Sequence, residues 1–65
     1  MVDGAKLVEC RKKSGLKAFF VAEQLGVKRQ ALYLYEQGRR NPSIVKLEKL
    51  AGLYGVSVND LLIKG

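Results

Sequence analysis

The stretch from Lys17 to Gly38 constrains the chain most: two apolar patterns of helical period meet at Gly26-Val27, and only a tight turn fits between them. In the first pattern Val21, Ala22 and Leu25 make a stripe expected to be buried, with Glu23 and Gln24 in water. Phe19 sits next to Ala22 around the helix and is expected to be half buried. Phe20 points well away from the stripe, so another part of the chain covers it or it faces a partner. In the second pattern Ala31, Leu32 and Tyr35 share one side. Arg29, Gln30, Tyr33 and Gln37 share the other, with Leu34 at its margin.

The apolar side of the second helix must pack on the rest of the domain, which turns the Arg/Gln/Tyr side outward. Arg pairs with guanine through two hydrogen bonds, and Gln pairs with adenine in the same way. An ordinary amphipathic helix with a solvated polar face shows the same pattern. Two helices at a tight turn, the second one outward-facing, read as a helix-turn-helix, which presents its second helix to DNA.

Charge points the same way. The chain carries 12 Lys and Arg against 6 Asp and Glu, a formal net charge of +6. The cations are clustered: Arg11, Lys12, Lys13 and Lys17 occur with no intervening acid, and Lys28-Arg29 and Arg39-Arg40 are unbroken pairs. Clustered positive charge on a small domain suits a polyanion, of which nucleic acid is the commonest. For Arg11-Lys12-Lys13 the negative end of a helix dipole is a sufficient structural reason. A length of 65 residues allows one domain, 1–65, with a single small core. One Cys and no His exclude a disulfide framework and the usual zinc patterns within one chain. Cys10 reads as a small apolar residue in a reducing compartment. No apolar run approaches the length that spans a bilayer, and no signal-peptide pattern begins the chain, so a soluble cytoplasmic protein without membrane contact is expected.

In chain order, Asp3 is an N-cap for a first helix running to about Ser14, with Gly15 as its stop; Leu7, Cys10 and Arg11 share a face. Gly38 ends the third helix, and Arg39-Arg40-Asn41-Pro42 forms a loop that cannot continue it. Loop arginines beside an outward-facing helix suit the sugar-phosphate backbone, although a basic loop also serves solubility. Ser43 caps a fourth helix, in which Ile44, Leu47, Leu50, Ala51 and Tyr54 form the largest apolar stripe, and Gly55 stops it. Ser57 to Asp60 resembles a capping box and opens a last short helix carrying Leu61, Leu62 and Ile63. The expected fold is all-α: a compact bundle of five short helices with a helix-turn-helix at helices two and three.

The chain also carries Gly15-Leu16, Ala22-Glu23-Gln24-Leu25-Gly26-Val27, Tyr35-Glu36-Gln37-Gly38, Arg39-Arg40-Asn41-Pro42-Ser43, Leu50-Ala51, and Gly55-Val56-Ser57 leading to Asp60-Leu61-Leu62. On these residues, from Leu7 to Leu62, it resembles the Cro/phage-repressor family, the XRE-type helix-turn-helix proteins. The resemblance implies a lambda-repressor-like domain whose third helix enters the major groove. It implies base reading by Arg29 and Gln30, and contact with bases or sugar-phosphate by Tyr33 and Leu34. It places Lys28 on a phosphate and puts Gln37, Arg39 and Arg40 at the backbone-contacting end of the unit. It maps the family's buried ion pair onto Arg11 and Glu36. The chain departs from the pattern at Ala18, where the family usually has a phosphate-gripping Gln. The Ala18 backbone N–H still suits a phosphate at a helix N-terminus, and Lys17 supplies charge there. It departs again at Leu34, which meets a thymine methyl or contributes nothing.

The resemblance implies a sequence-specific DNA-binding transcriptional regulator, a repressor in type, of bacterial or phage origin and nucleoid-associated. Its partner is double-stranded DNA, with a palindromic operator bound as a homodimer because one reading helix covers one half-site. Leu53, Val58 and Ile63 are either dimer-surface residues or edge-of-core packing. The alternative is a protein-interaction module on the same frame, of antitoxin or anti-repressor type, with Phe19, Phe20 and Leu34 at its interface. An enzyme is not expected: Cys10 lies on a core face and the acids are scattered, so no general base has an orienting partner. No cofactor, metal or small-molecule substrate is implied.

Overall fold

Short polar side chains set where two of the four helices and the last turn begin. In the computed structural model, which describes residues 1–63 of the domain expected over 1–65, α1 spans Gly4–Ser14, α2 Ala18–Leu25, α3 Arg29–Glu36 and α4 Ile44–Tyr54. A single 3-10 turn follows at Val58–Leu61. The Asp3 carboxylate accepts from the Lys6 N–H at 3.2 Å, and the Ser43 hydroxyl accepts from the Lys46 N–H at 3.2 Å. Ser57 and Asp60 cap each other's backbone N–H groups reciprocally, completing the capping box.

At the turn between α2 and α3, Gly26 has φ 72°, a left-handed conformation that costs glycine nothing. The Gly26 N–H donates to the Glu23 carbonyl at 3.0 Å and the Val27 N–H to the Ala22 carbonyl at 3.0 Å. This pair of bonds is a Schellman end, which satisfies the last carbonyls of α2 and aims the chain into α3.

The core gathers one stripe from each element: Leu7 and Cys10 of α1, Val21, Ala22 and Leu25 of α2, Leu32 and Tyr35 of α3, Leu47, Leu50 and Ala51 of α4, and Leu61. Helix α3 packs on α2 and α1, while α4 closes over α2 and the 3-10 turn.

Three expectations are corrected. The fifth helix is one 3-10 turn that ends at Leu61, so Leu62 and Ile63 lie beyond it. The reason is tertiary. Leu62 is extended (φ −105°, ψ 148°) because it pairs antiparallel with Val2. The Asp3 N–H donates to the Leu61 carbonyl at 2.8 Å and the Ile63 N–H to the Met1 carbonyl at 2.9 Å. Second, Ile44 belongs to the α4 stripe only by period: it is the first helical residue, and 65% of it is exposed. Third, Phe19 is more exposed than expected, at 54%. Tyr54, at the end of the α4 stripe, is partly buried and packs against the edge of the core.

Val2 is a core residue without a helical pattern to announce it. It precedes the Asp3 cap, and Leu7 stands at the fourth helical position, the arrangement of a hydrophobic staple.

Candidate nucleic-acid interface

Helix α3 is seated by Leu32 and Tyr35, both in the core. That seating leaves Arg29, Gln30, Tyr33 and Gln37 exposed on the opposite side. Tyr33 keeps 42% of its surface in water. Ala31 and Leu34 are half buried at the margin of this face.

The only acid in α3 is Glu36, and it points inward. Arg11 Nε donates to Glu36 Oε2 at 2.7 Å and Arg11 Nη2 donates to Oε1 at 3.3 Å. The Glu36 side chain is 5% exposed and that of Arg11 19%. The hydrogen bond to Glu36 raises the Arg11 pKa further, against the opposing effect of burial. The pair thus removes negative charge from the α3 surface and ties α1 to α3. The Tyr54 hydroxyl near it is pushed up to about 12, chiefly by burial, with Glu36 adding and Arg11 opposing.

Both helices of the unit begin on a lysine. Lys17 and Lys28 are the N-caps of α2 and α3, and neither makes a side-chain cap hydrogen bond. The first-turn N–H groups of these two helices therefore lack the side-chain acceptor that Asp3, Ser43 and Ser57 supply elsewhere. Ala18 follows Lys17 as the first residue of α2 and is half buried.

The end of α3 brings in the loop cations. Gly38, at φ 72°, reverses the chain; its N–H donates to the Tyr35 carbonyl at 3.0 Å, and the Arg39 N–H donates to the Leu34 carbonyl at 2.9 Å. Arg39 and Arg40 are exposed there, and Arg40 lines a shallow depression with Lys28, Gln30, Ala31 and Leu34. The Asn41 side chain accepts from the Val2 N–H at 3.0 Å and anchors this loop to the chain terminus. The motif from Arg39 to Ser43 includes Asn41 but gives no sign of this bond, because its partner is remote in sequence.

Among the described residues the ion pairs are Arg11–Glu36 and the contacts of Lys6 and Lys13 with Glu9. Lys17, Lys28, Arg29, Arg39 and Arg40 enter none of them, so their charge is free to meet an outside anion. Also among the described residues, no group of three or more His, Cys, Asp or Glu stands together as a metal site. No described helix is long and apolar enough to cross a membrane.

Comparison with known proteins agrees with this geometry. A family model described as helix-turn-helix matches residues 7–61. An uncharacterized SPbeta prophage-derived HTH-type transcriptional regulator, YonR of Bacillus subtilis, is 39% identical over 62 residues, covering 95% of this chain and 56% of that protein. The HTH-type transcriptional regulator DdrOP3 of Deinococcus deserti is 39% identical over 57 residues, covering 88% of this chain and 44% of that one. The chain therefore spans about half the length of these two relatives. Among solved structures, the restriction-modification controller protein C.AhdI from Aeromonas hydrophila is 32% identical, with a TM-score of 0.78 over 91% of this chain and 86% of that one. A hypothetical transcription factor, NHTF from Neisseria, is 27% identical with a TM-score of 0.77, over 92% and 69% of the two chains.

Proposed function

The chain belongs to the XRE-type helix-turn-helix family, and from that premise we propose that it is a sequence-specific DNA-binding transcriptional regulator, acting as a repressor by occupying its operator. The observation that carries this reading is the outward face of α3: Arg29, Gln30 and Tyr33 are exposed while Leu32 and Tyr35 lie in the core. In this reading Arg29, Gln30, Tyr33 and Leu34 meet base edges in the major groove. Lys17, the Ala18 N–H, Lys28, Gln37, Arg39 and Arg40 hold the sugar-phosphate backbone on both sides and fix the register. Arg11 and Glu36 keep α3 in place without touching DNA.

One copy reads one half-site, so the operator is palindromic and the protein binds it as a homodimer. Leu53 and Val58 at the core's edge, with Ile63 57% exposed, supply apolar surface for that contact. A second reading, a protein partner held by Phe19, Phe20 and Leu34, draws on the exposure of the two phenylalanines at 54% and 36%. Selection from a random duplex library separates the two. An enriched inverted repeat with half-sites about one helical turn apart is expected. Failure to retain any duplex, even at low salt, overturns the DNA reading in favour of the protein partner.

A further inference from the structure

We propose that the depression between α2 and α4 is a docking site for an acidic amphipathic helix of another protein. Its lining is Gln24 from α2 and Lys49, Gly52 and Leu53 from α4. Helical period extends each wall by a turn: Phe20 precedes Gln24 on α2, and Lys46 precedes Lys49 on α4. Phe20 is exposed and Leu53 half buried, so an apolar side chain entering from solvent meets carbon on both walls. Gly52 supplies the room, since a Cβ there would meet nothing within 4 Å. The lining shares no residue with the outward face of α3. Unlike a partner held by Phe19 and Leu34, an occupant here leaves Arg29, Gln30 and Tyr33 accessible.

Charge selects the occupant. Lys46 and Lys49 lie on the Leu53 flank of α4, and among the described residues neither enters an ion pair. The neighbouring acids, Glu23 and Glu48, fall about 100° around their helices from Gln24 and Lys49, toward the opposite flanks. The groove is therefore apolar with a cationic wall. A second copy is the wrong occupant: across a twofold contact the two lysines of one copy would face those of the other, on a chain of net charge +6. Leu53 is the one residue shared with the surface proposed for the homodimer, which keeps Val58 and Ile63. An amphipathic helix sets an apolar anchor over Gly52 and Leu53 and carboxylates against the lysines, the arrangement of a helix laid in a groove.

The test selects helices against the whole chain. A yeast-displayed library of peptides of about 15 residues keeps Leu at positions i, i+4 and i+7 and varies the rest over Ala, Gln, Glu and Lys. Enriched sequences should carry Glu beside the Leu stripe. The best of them, as a synthetic peptide, should move the amide NMR signals of Phe20, Gln24, Lys49, Gly52 and Leu53. Gly52→Leu, which fills the depression, and Lys49→Glu should each weaken that peptide about tenfold. A peptide with its facing Glu changed to Lys should recover binding to Lys49→Glu, and circular dichroism melts verify that both variants fold. Enrichment of Lys-bearing helices, no enrichment over the starting library, or signals moving only at Arg29, Gln30 and Tyr33 overturns the inference. Equal binding by both variants also overturns it, because attraction to net charge alone then accounts for the peptide. Self-association of the free chain that Gly52→Leu abolishes overturns it in favour of a second copy. None of these outcomes depends on whether the chain retains duplex DNA.

Discussion

Arg29 and Arg40 carry the same charge and sit at opposite ends of α3, and on the proposed function they would do different work. Arg29 opens the helix on its outward face, whereas Arg40 lies in the turn that Gly38 folds back over the end of the helix. Arg29→Ala should cost about 1–3 kcal/mol on the selected site and relax preference at one base pair. Arg40→Ala should weaken matched and scrambled duplexes alike. Affinities of both variants on both duplexes measure this, and identical behaviour would contradict the division of roles. Tyr54 makes a residue-scale prediction about stability. Its pKa is raised from 10.0 to about 12 in the folded chain, so folding favours the neutral hydroxyl. That contribution is complete below about pH 10 and is lost as pH rises through about 12. Partial exposure limits it to about 1 kcal/mol. Denaturant melts from pH 9 to 12 should show a steeper alkaline loss for the wild type than for Tyr54→Phe. Parallel curves would remove Tyr54 from the account.

Elements were legible in the sequence where their causes are local. Asp3, Ser43 and the Ser57–Asp60 pair act within their own first turns, so their caps were readable from spacing alone. The outward face of α3 was readable too, because Leu32 and Tyr35 fix its rotation by helical period. The Arg11–Glu36 pair came from family resemblance, with the face shared by Leu7, Cys10 and Arg11 in support. What the pattern did not disclose depends on remote partners. Pairing of Leu62 with Val2 stops the last turn, and Asn41 ties the arginine loop to the terminus. Ile44 has the period of the core but lies at the first position of its helix, where it faces solvent.

Two glycines test this packing at the element scale. A Cβ on Gly4 would stand 2.8 Å from the Glu36 carbonyl carbon and 2.9 Å from the Gly38 nitrogen, both backbone atoms. Gly4→Ala must therefore push α1 away from the end of α3, at about 1–3 kcal/mol. A Cβ on Gly52, inside α4, meets nothing within 4 Å, so Gly52→Ala should stabilise by about 0.5–1 kcal/mol. Thermal melts should move Tm in opposite directions for the two variants, and equal shifts would contradict the close approach of α1 to α3.

At the scale of the molecule, dimensions and charge limit what one copy does on DNA. The longest extent is 30 Å, against roughly 34–36 Å between half-sites one helical turn apart. On the proposed function, one copy would therefore lie over one half-site, and a second half-site would call for a second copy. α3 is 8 residues long, about 12 Å, and the major groove is about 12 Å wide. Lys17, Lys28, Arg39 and Arg40 are exposed around it, while the one acid of α3 is held inward by Arg11. The central claim is that this face binds the phosphate backbone, and the salt dependence of duplex affinity tests it most directly. Each phosphate neutralised on duplex DNA contributes a slope of about −0.9 in log affinity against log salt. Four such cations predict roughly −3 to −4 per protomer, with Arg40→Ala flattening the slope by about 1. An affinity that hardly changes between low and moderate salt, or a slope untouched by Arg40→Ala, would contradict the assignment of this face to DNA.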